Sequence, residues 1–179
     1  FREDRARELT KAFALPDFDG FERKFLDIQF TTFTEYERDL PVQVAFPPED
    51  IQHGLGETLS LASKKQLRIA ETEKYAHVTY FFNGGKEKSF PGEDRILIPS
   101  PTVSHFDEIP EMSSPQITES LVALLEKNEY DFILVNYANP DMVGHTGNEQ
   151  ASIEAVEATD KSLSILIPAI LKTGGAILI

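Results

Sequence analysis

Asp131-Phe132-Ile133-Leu134-Val135-Asn136-Tyr137 decides the fold class. An almost continuous apolar run of this length, bounded by polar residues, is the pattern of a parallel strand covered on both faces. Its reading predicts the central strand of a sheet. Just upstream, Ser114-Pro115 reads as an N-cap with proline at the first helical position, leading through Ile117, Leu121 and Leu124. Downstream, a helical pattern runs from about Glu149 to Lys172, kinked or ended near Pro168, and Gly174-Gly175 stop it before a buried strand at 176–179. Further from the centre, Arg95-Ile96-Leu97-Ile98 and Gln66-Leu67-Arg68-Ile69-Ala70 are short strands. Between them Thr72 is a plausible N-cap, Tyr75, Val78, Thr79 and Phe82 follow helical spacing, and Asn83-Gly84-Gly85 close the helix. A competing reading makes 76–82 a strand, because Val78 to Phe82 all favour sheets.

Towards the amino terminus, Gly54 to Gly56 lead into a short helix through Leu59, Leu61 and Ala62. Phe46-Pro47-Pro48 cannot extend a ladder, since proline has no N–H to donate. Phe25-Leu26-Asp27-Ile28-Gln29-Phe30-Thr31-Thr32-Phe33, aromatic and β-branched, predicts a first strand. The strand–helix alternation defines an α/β fold with a mostly parallel sheet flanked by helices. No internal repeat, low-complexity tract or long linker interrupts it; one compact unit is the default expectation, and a boundary, if there is one, lies between residues 20 and 50.

The 179 residues are 41% hydrophobic, 10% aromatic and 26% charged, the composition of a globular chain able to bury a core. Thirty acidic against 17 basic residues give a net charge of −13, which repels a nucleic-acid backbone or an anionic membrane surface. A small anion is still bindable where a few Arg and Lys side chains converge. Without cysteine there is neither disulfide nor thiolate metal site, in keeping with a reducing cytoplasm. No apolar run reaches the 18 residues of a membrane span, so the expectation is a soluble protein. The chain lacks an initiator Met and closes on Ala176-Ile177-Leu178-Ile179, which reads as a strand cut at its far end, so a fragment is expected.

Ligands of open parallel sheets bind beyond the carboxyl ends of strands, which directs attention to three places. After the apolar run, Asp141 and His145 stand four apart among Asn139, Pro140, Gly144 and Gly147. A carboxylate and an imidazole at that spacing reach one point if the segment turns helically, and both suit a divalent transition metal. The glycines would allow close backbone approach. The plainer alternative is an Asp capping the following helix beside an ordinary surface His. After the strand 66–70, Lys74 in Glu71-Thr72-Glu73-Lys74 could present an ammonium to a phosphate, or could simply be solvated beside two glutamates. Arg2 and Arg5, at i and i+3, could clamp an anionic oxygen cluster, with Arg7 and Lys11 as further candidates; fraying at a chain end is the alternative.

Five segments, Phe1 to Ala6, Arg68 to Thr79, Phe82 to Gly85, Gly92 to Arg95 and Asn136 to Gly147, resemble in that order the cofactor-independent phosphoglycerate mutases. The resemblance implies an alkaline phosphatase-like fold, here incomplete, with residues 1–20 ending a transferase-type substrate-clamp domain and 21–179 belonging to the metal domain. It implies a metal-dependent isomerase that interconverts 3- and 2-phosphoglycerate through a phosphoserine, using two divalent ions, manganese by preference. On the same basis Asp141 and His145 match two ligands of one metal, Lys74 a catalytic and substrate-binding lysine at the phosphoryl site, and Arg2 and Arg5 the pair that holds phosphoglycerate. Glu3 departs from the family pattern, where a small residue or proline is expected. The nucleophilic serine and an Asp-His-Gly segment expected after Ile179 lie outside the chain, so these 179 residues alone are expected to lack mutase activity and to bind manganese weakly. The whole enzyme would be a cytoplasmic monomer without nucleic-acid or membrane partners. Two rivals are another phosphotransferase of the superfamily, such as a phosphopentomutase, and a non-catalytic α/β module.

Overall fold

A computed structural model describes residues 3–48 and 51–179, and the chain divides into two compact units, Phe1–Asp50 and Ile51–Ile179. The first unit holds helix α1 (Glu3–Ala14) and two short strands, β1 (Thr31–Thr32) and β2 (Gln43–Val44), paired in parallel. Glu37 receives Lys11 at 2.7 Å and Arg7 at 3.8 Å. Phe13 and Phe30 stack at 5.7 Å between centroids. The strand expected over 25–33 is reduced to those two threonines. Phe25, Leu26, Ile28 and Phe33 are all exposed, so their β-propensity meets no half-buried sheet surface on which to act.

The second unit carries α2 (Leu55–Leu61), β3 (Gln66–Glu71), β4 (Glu93–Ile98), α3 (Ser114–Leu125), β5 (Phe132–Asn136), α4 (Asn139–Gly144) and α5 (Glu149–Lys172). The strands form one parallel sheet in the order β4-β3-β5, with Arg68 opposite Arg95 on one side and Leu134 on the other. The central strand is therefore β3, not the apolar β5. All six β3 residues are buried while β5 is half-buried throughout. Composition hides this, because Gln66, Arg68 and Glu71 interrupt the apolar run although all three are buried, with Gln66 donating to the Gly56 carbonyl at 2.8 Å and accepting from Arg68 at 2.5 Å.

Alternation along β3 divides the molecule. Leu67 and Ile69 pack with Ile117 and Leu121 of α3 and Leu166 of α5, each side chain contributing roughly 1.5–3 kcal/mol by leaving water. Gln66 and Arg68 point to the other face, where the segment 72–83 lies. That segment is helical as expected, but its form differs. Thr72–Lys74 make one 3₁₀ turn and His77–Phe81 a π-helix, which ends where Gly84 and Gly85 take positive φ. In α3, Ser113 occupies the cap position and Ser114 is already helical, one residue earlier than expected. Helix α5 passes through Pro168 and stops at Thr173, with Gly174 at φ +77°. Residues 176–179 join no strand, and Leu178 is 99% exposed, so the expected terminal strand is absent from the sheet. A strand buried on both faces requires a neighbour to take its hydrogen bonds, and no described segment reaches it.

Candidate active site

Three loops leave the carboxyl end of this sheet, and two of them carry the candidate residues. After β3 the 3₁₀ turn points Lys74 inward. Only 8% of it is exposed, which contradicts a solvated lysine among glutamates. After β5 the chain enters α4, with Pro140 in its first turn, and the helical path sets Asp141 and His145 on one face. His145 Nε2 lies 3.3 Å from Asp141 Oδ1, and Lys74 Nζ forms an ion pair with Asp141 Oδ2. Residues 67 positions apart in sequence thus meet at one carboxylate.

The surroundings explain how α4 is held. Asn139 is fully buried, donates from Nδ2 to the Ala155 carbonyl at 2.7 Å, and accepts from Thr159 Oγ1 at 3.3 Å. Val143 packs with Ala138, Ala151 and Ala155 in a second apolar cluster. The asparagine of the Asn-Pro-Asp sequence is therefore a brace between α4 and α5. The capping alternative for Asp141 fails, because Asn148 caps α5 by accepting from the Ala151 N–H at 3.2 Å. The two glycines beside Asp141 face open space. Nothing stands within 4 Å of a Cβ placed on Gly144 or Gly147, and Gly147 is required instead by its φ of +76°.

Asp141 and His145 fit a divalent cation in part. Their side chains are 48% and 69% exposed, accessible to an incoming ion, and the carboxylate already faces a positive charge in Lys74. Among the described residues no group of three or more His, Asp or Glu is arranged to hold a metal. Two donors rarely hold an ion against water, so this corner supplies part of a coordination sphere. Arg5 is exposed on α1 in the first unit, Arg7 and Lys11 face Glu37, and Arg2 lies outside the described residues.

Two buried carboxyls escaped the sequence reading. Glu71, the last residue of β3, is fully buried on the Leu67/Ile69 side; Oε2 accepts from Ser100 Oγ at 3.0 Å and Oε1 has no hydrogen-bond partner. Burial pushes its pKa up, moderated by Ser100 and Ser113. Period-two alternation from Leu67 and Ile69 would have placed it inward. At the opposite end of the sheet Glu93 accepts from Arg95 Nε at 2.6 Å, Asn83 Nδ2 at 2.9 Å and the Phe90 N–H at 3.3 Å. Beside it the Arg68 guanidinium lies 4.6 Å from the Phe82 ring and 5.2 Å from Phe132.

A parallel sheet thus carries an acidic and an imidazole side chain beyond its carboxyl ends. The sequence pattern of the Metalloenzyme superfamily matches residues 19–179, and the chain belongs to that superfamily, whose alkaline phosphatase-like fold the sheet and its helices follow. Within it, the chain is 56% identical over its whole length to a 2,3-bisphosphoglycerate-independent phosphoglycerate mutase of Synechococcus sp. (strain JA-2-3B'a(2-13)) and 53% identical to that of Shewanella baltica (strain OS195). It spans about a third of those relatives, 34% and 35% respectively. A crystal structure of Leishmania mexicana phosphoglycerate mutase at low cobalt concentration superposes with a TM-score of 0.71 at 35% identity, covering 96% of this chain and 32% of that one. No helix among the described residues is long and apolar enough to cross a membrane.

Proposed function

We propose that this chain is the central part of a 2,3-bisphosphoglycerate-independent phosphoglycerate mutase, an isomerase that moves a phosphoryl group between the 3- and 2-positions of glycerate through a phosphoserine. The observation that carries the reading is the meeting of Lys74, Asp141 and His145 at the carboxyl ends of β3 and β5. Asp141 and His145 would hold one of two divalent ions, manganese by preference, which when bound supplies Lewis-acid stabilisation of phosphoryl oxygens. Lys74, held in low-exposure surroundings, places a fixed ammonium where charge accumulates on the equatorial oxygens during transfer. Arg2 and Arg5 hold the glycerate carboxylate and phosphate while it reorients. Residues 1–20 end the substrate-clamp domain and its linker, and 21–179 belong to the metal domain. The working enzyme is a cytoplasmic monomer acting on a small phosphorylated acid, with neither nucleic acid nor membrane as partner.

In the full-length mutase, Asp141→Asn, His145→Ala and Lys74→Ala are each expected to lower turnover of 3-phosphoglycerate at least about 100-fold. Metal content should fall in the first two and persist in the third. Wild-type turnover with a full metal complement in Asp141→Asn and His145→Ala would sink the ligand assignment. The 179-residue chain by itself should show no turnover.

A further inference from the structure

The loop that delivers Lys74 is only three residues long, and something must fix its direction. Ser100, two residues beyond the end of β4, makes three hydrogen bonds to three consecutive residues ahead of that lysine. Its Oγ donates to Glu71 Oε2 at 3.0 Å, its N–H donates to Thr72 Oγ1 at 3.1 Å, and its Oγ accepts from the Glu73 N–H at 3.4 Å. Donor and acceptor capacities of the hydroxyl are both used. Ser100 is anchored in turn, because Ser113 Oγ donates to the Pro99 carbonyl at 2.8 Å, tying the β4 exit to the start of α3.

We propose that Ser100 and Glu71 form a latch across the carboxyl ends of β3 and β4 that positions Lys74 against Asp141. They are positioning residues: neither belongs to the set that would touch metal or phosphate. A lysine side chain is rich in rotamers, and the backbone beneath it must be fixed before that side chain can present one geometry. The latch fixes it by removing the freedom of residues 71, 72 and 73 together. The proposal rests on the reading of Lys74 as the phosphoryl-site lysine.

The test is a double-mutant cycle in the full-length mutase. Ser100→Ala should lower kcat about 10- to 100-fold, the range expected for displacing a catalytic group by a fraction of an ångström to one ångström, with KM and bound metal unchanged. Ser100→Thr, which keeps the hydroxyl, should recover most of the loss. In a Lys74→Ala background Ser100→Ala should change kcat by less than about 2-fold, since the group it positions is gone. Full kcat in Ser100→Ala, or the same loss with and without Lys74, overturns the latch. Equal thermal midpoints for Ser100→Ala and wild type are expected, and a collapse of the midpoint that accounts for the lost activity also overturns it. A Lys74→Ala enzyme with undiminished turnover sinks the role given to Lys74, and the latch falls with it.

Discussion

Two glutamates are buried on adjacent strands at opposite ends of one sheet, and they are treated differently. Glu93, at the start of β4, accepts from an arginine, an asparagine amide and a backbone N–H, and Arg68 lies close enough to stabilise its charge. Glu71, at the finish of β3, has the Ser100 hydroxyl on Oε2 and Ser113 close enough to moderate its charge, while Oε1 lacks a hydrogen-bond partner. The Glu93 carboxylate is closed by its own neighbours, while around it Arg68 Nε and Nη1, Asn83 Oδ1 and Arg95 Nη2 are buried without hydrogen-bond partners. The carboxyl end carries an under-satisfied carboxyl, a buried lysine and the exposed Asp141 and His145.

The contrast is most sharply tested by Glu93→Ala. Removing it leaves Arg68 and Arg95 facing each other without a carboxylate, and the expected cost is about 3–5 kcal/mol, read as a fall in the urea midpoint. A loss below 1 kcal/mol would show that the amino-end cluster is not what holds the sheet. Gly56→Ala probes the same cluster by space alone. A Cβ there would stand 2.8 Å from Asn83 Oδ1 and 3.1 Å from Arg68 Nη2, so about 1–3 kcal/mol of destabilisation is expected. The smallest effect belongs to Glu71→Gln. Because burial raises the folded pKa of Glu71, its contribution is fully present below the unfolded value of about 4.3 and is lost as pH rises through the folded value. Replacing it by the neutral amide removes that loss, so the variant should gain on wild type as pH climbs from 4 to 7, by about 1 kcal/mol or less, in urea midpoints taken across that range. A parallel pH profile in the two proteins would mean that Glu71 is as well compensated as Glu93.

Where apolar periodicity dictated structure, the sequence was legible. Strands 66–71 and 93–98, helices 114–125 and 149–172 and the parallel class all follow from spacing and punctuation. What spacing could not supply was rank within the sheet. The apolar β5 reads as central, yet the polar β3 is, because pairing among Gln66, Arg68 and Glu93 is invisible until the chain is folded. The 25–33 stretch failed for the converse reason, having strand-forming residues and no sheet to join. At the site, the Asp141/His145 corner was legible because four residues make one helical turn. The ion pair with Lys74 and the grip of Ser100 were not, since each spans long sequence separation with residue types that are ordinary on surfaces. The asparagine and glycines beside Asp141 were legible as a group and opaque individually; the fold shows one to be a brace and another a matter of φ.

The π-helix at His77–Phe81 lies between Lys74 at one end of the sheet and Asn83 at the other. Such a turn holds one residue more than an α-helical turn, and each residue of a helix rotates the chain by roughly 100°. Excising a single residue from 77–81 would therefore swing the lysine around the axis relative to the asparagine, whatever side chains remained. Residue count, more than residue identity, keeps the two ends in phase. The segment should accept exchanges of one aromatic for another far more readily than the loss of a single codon.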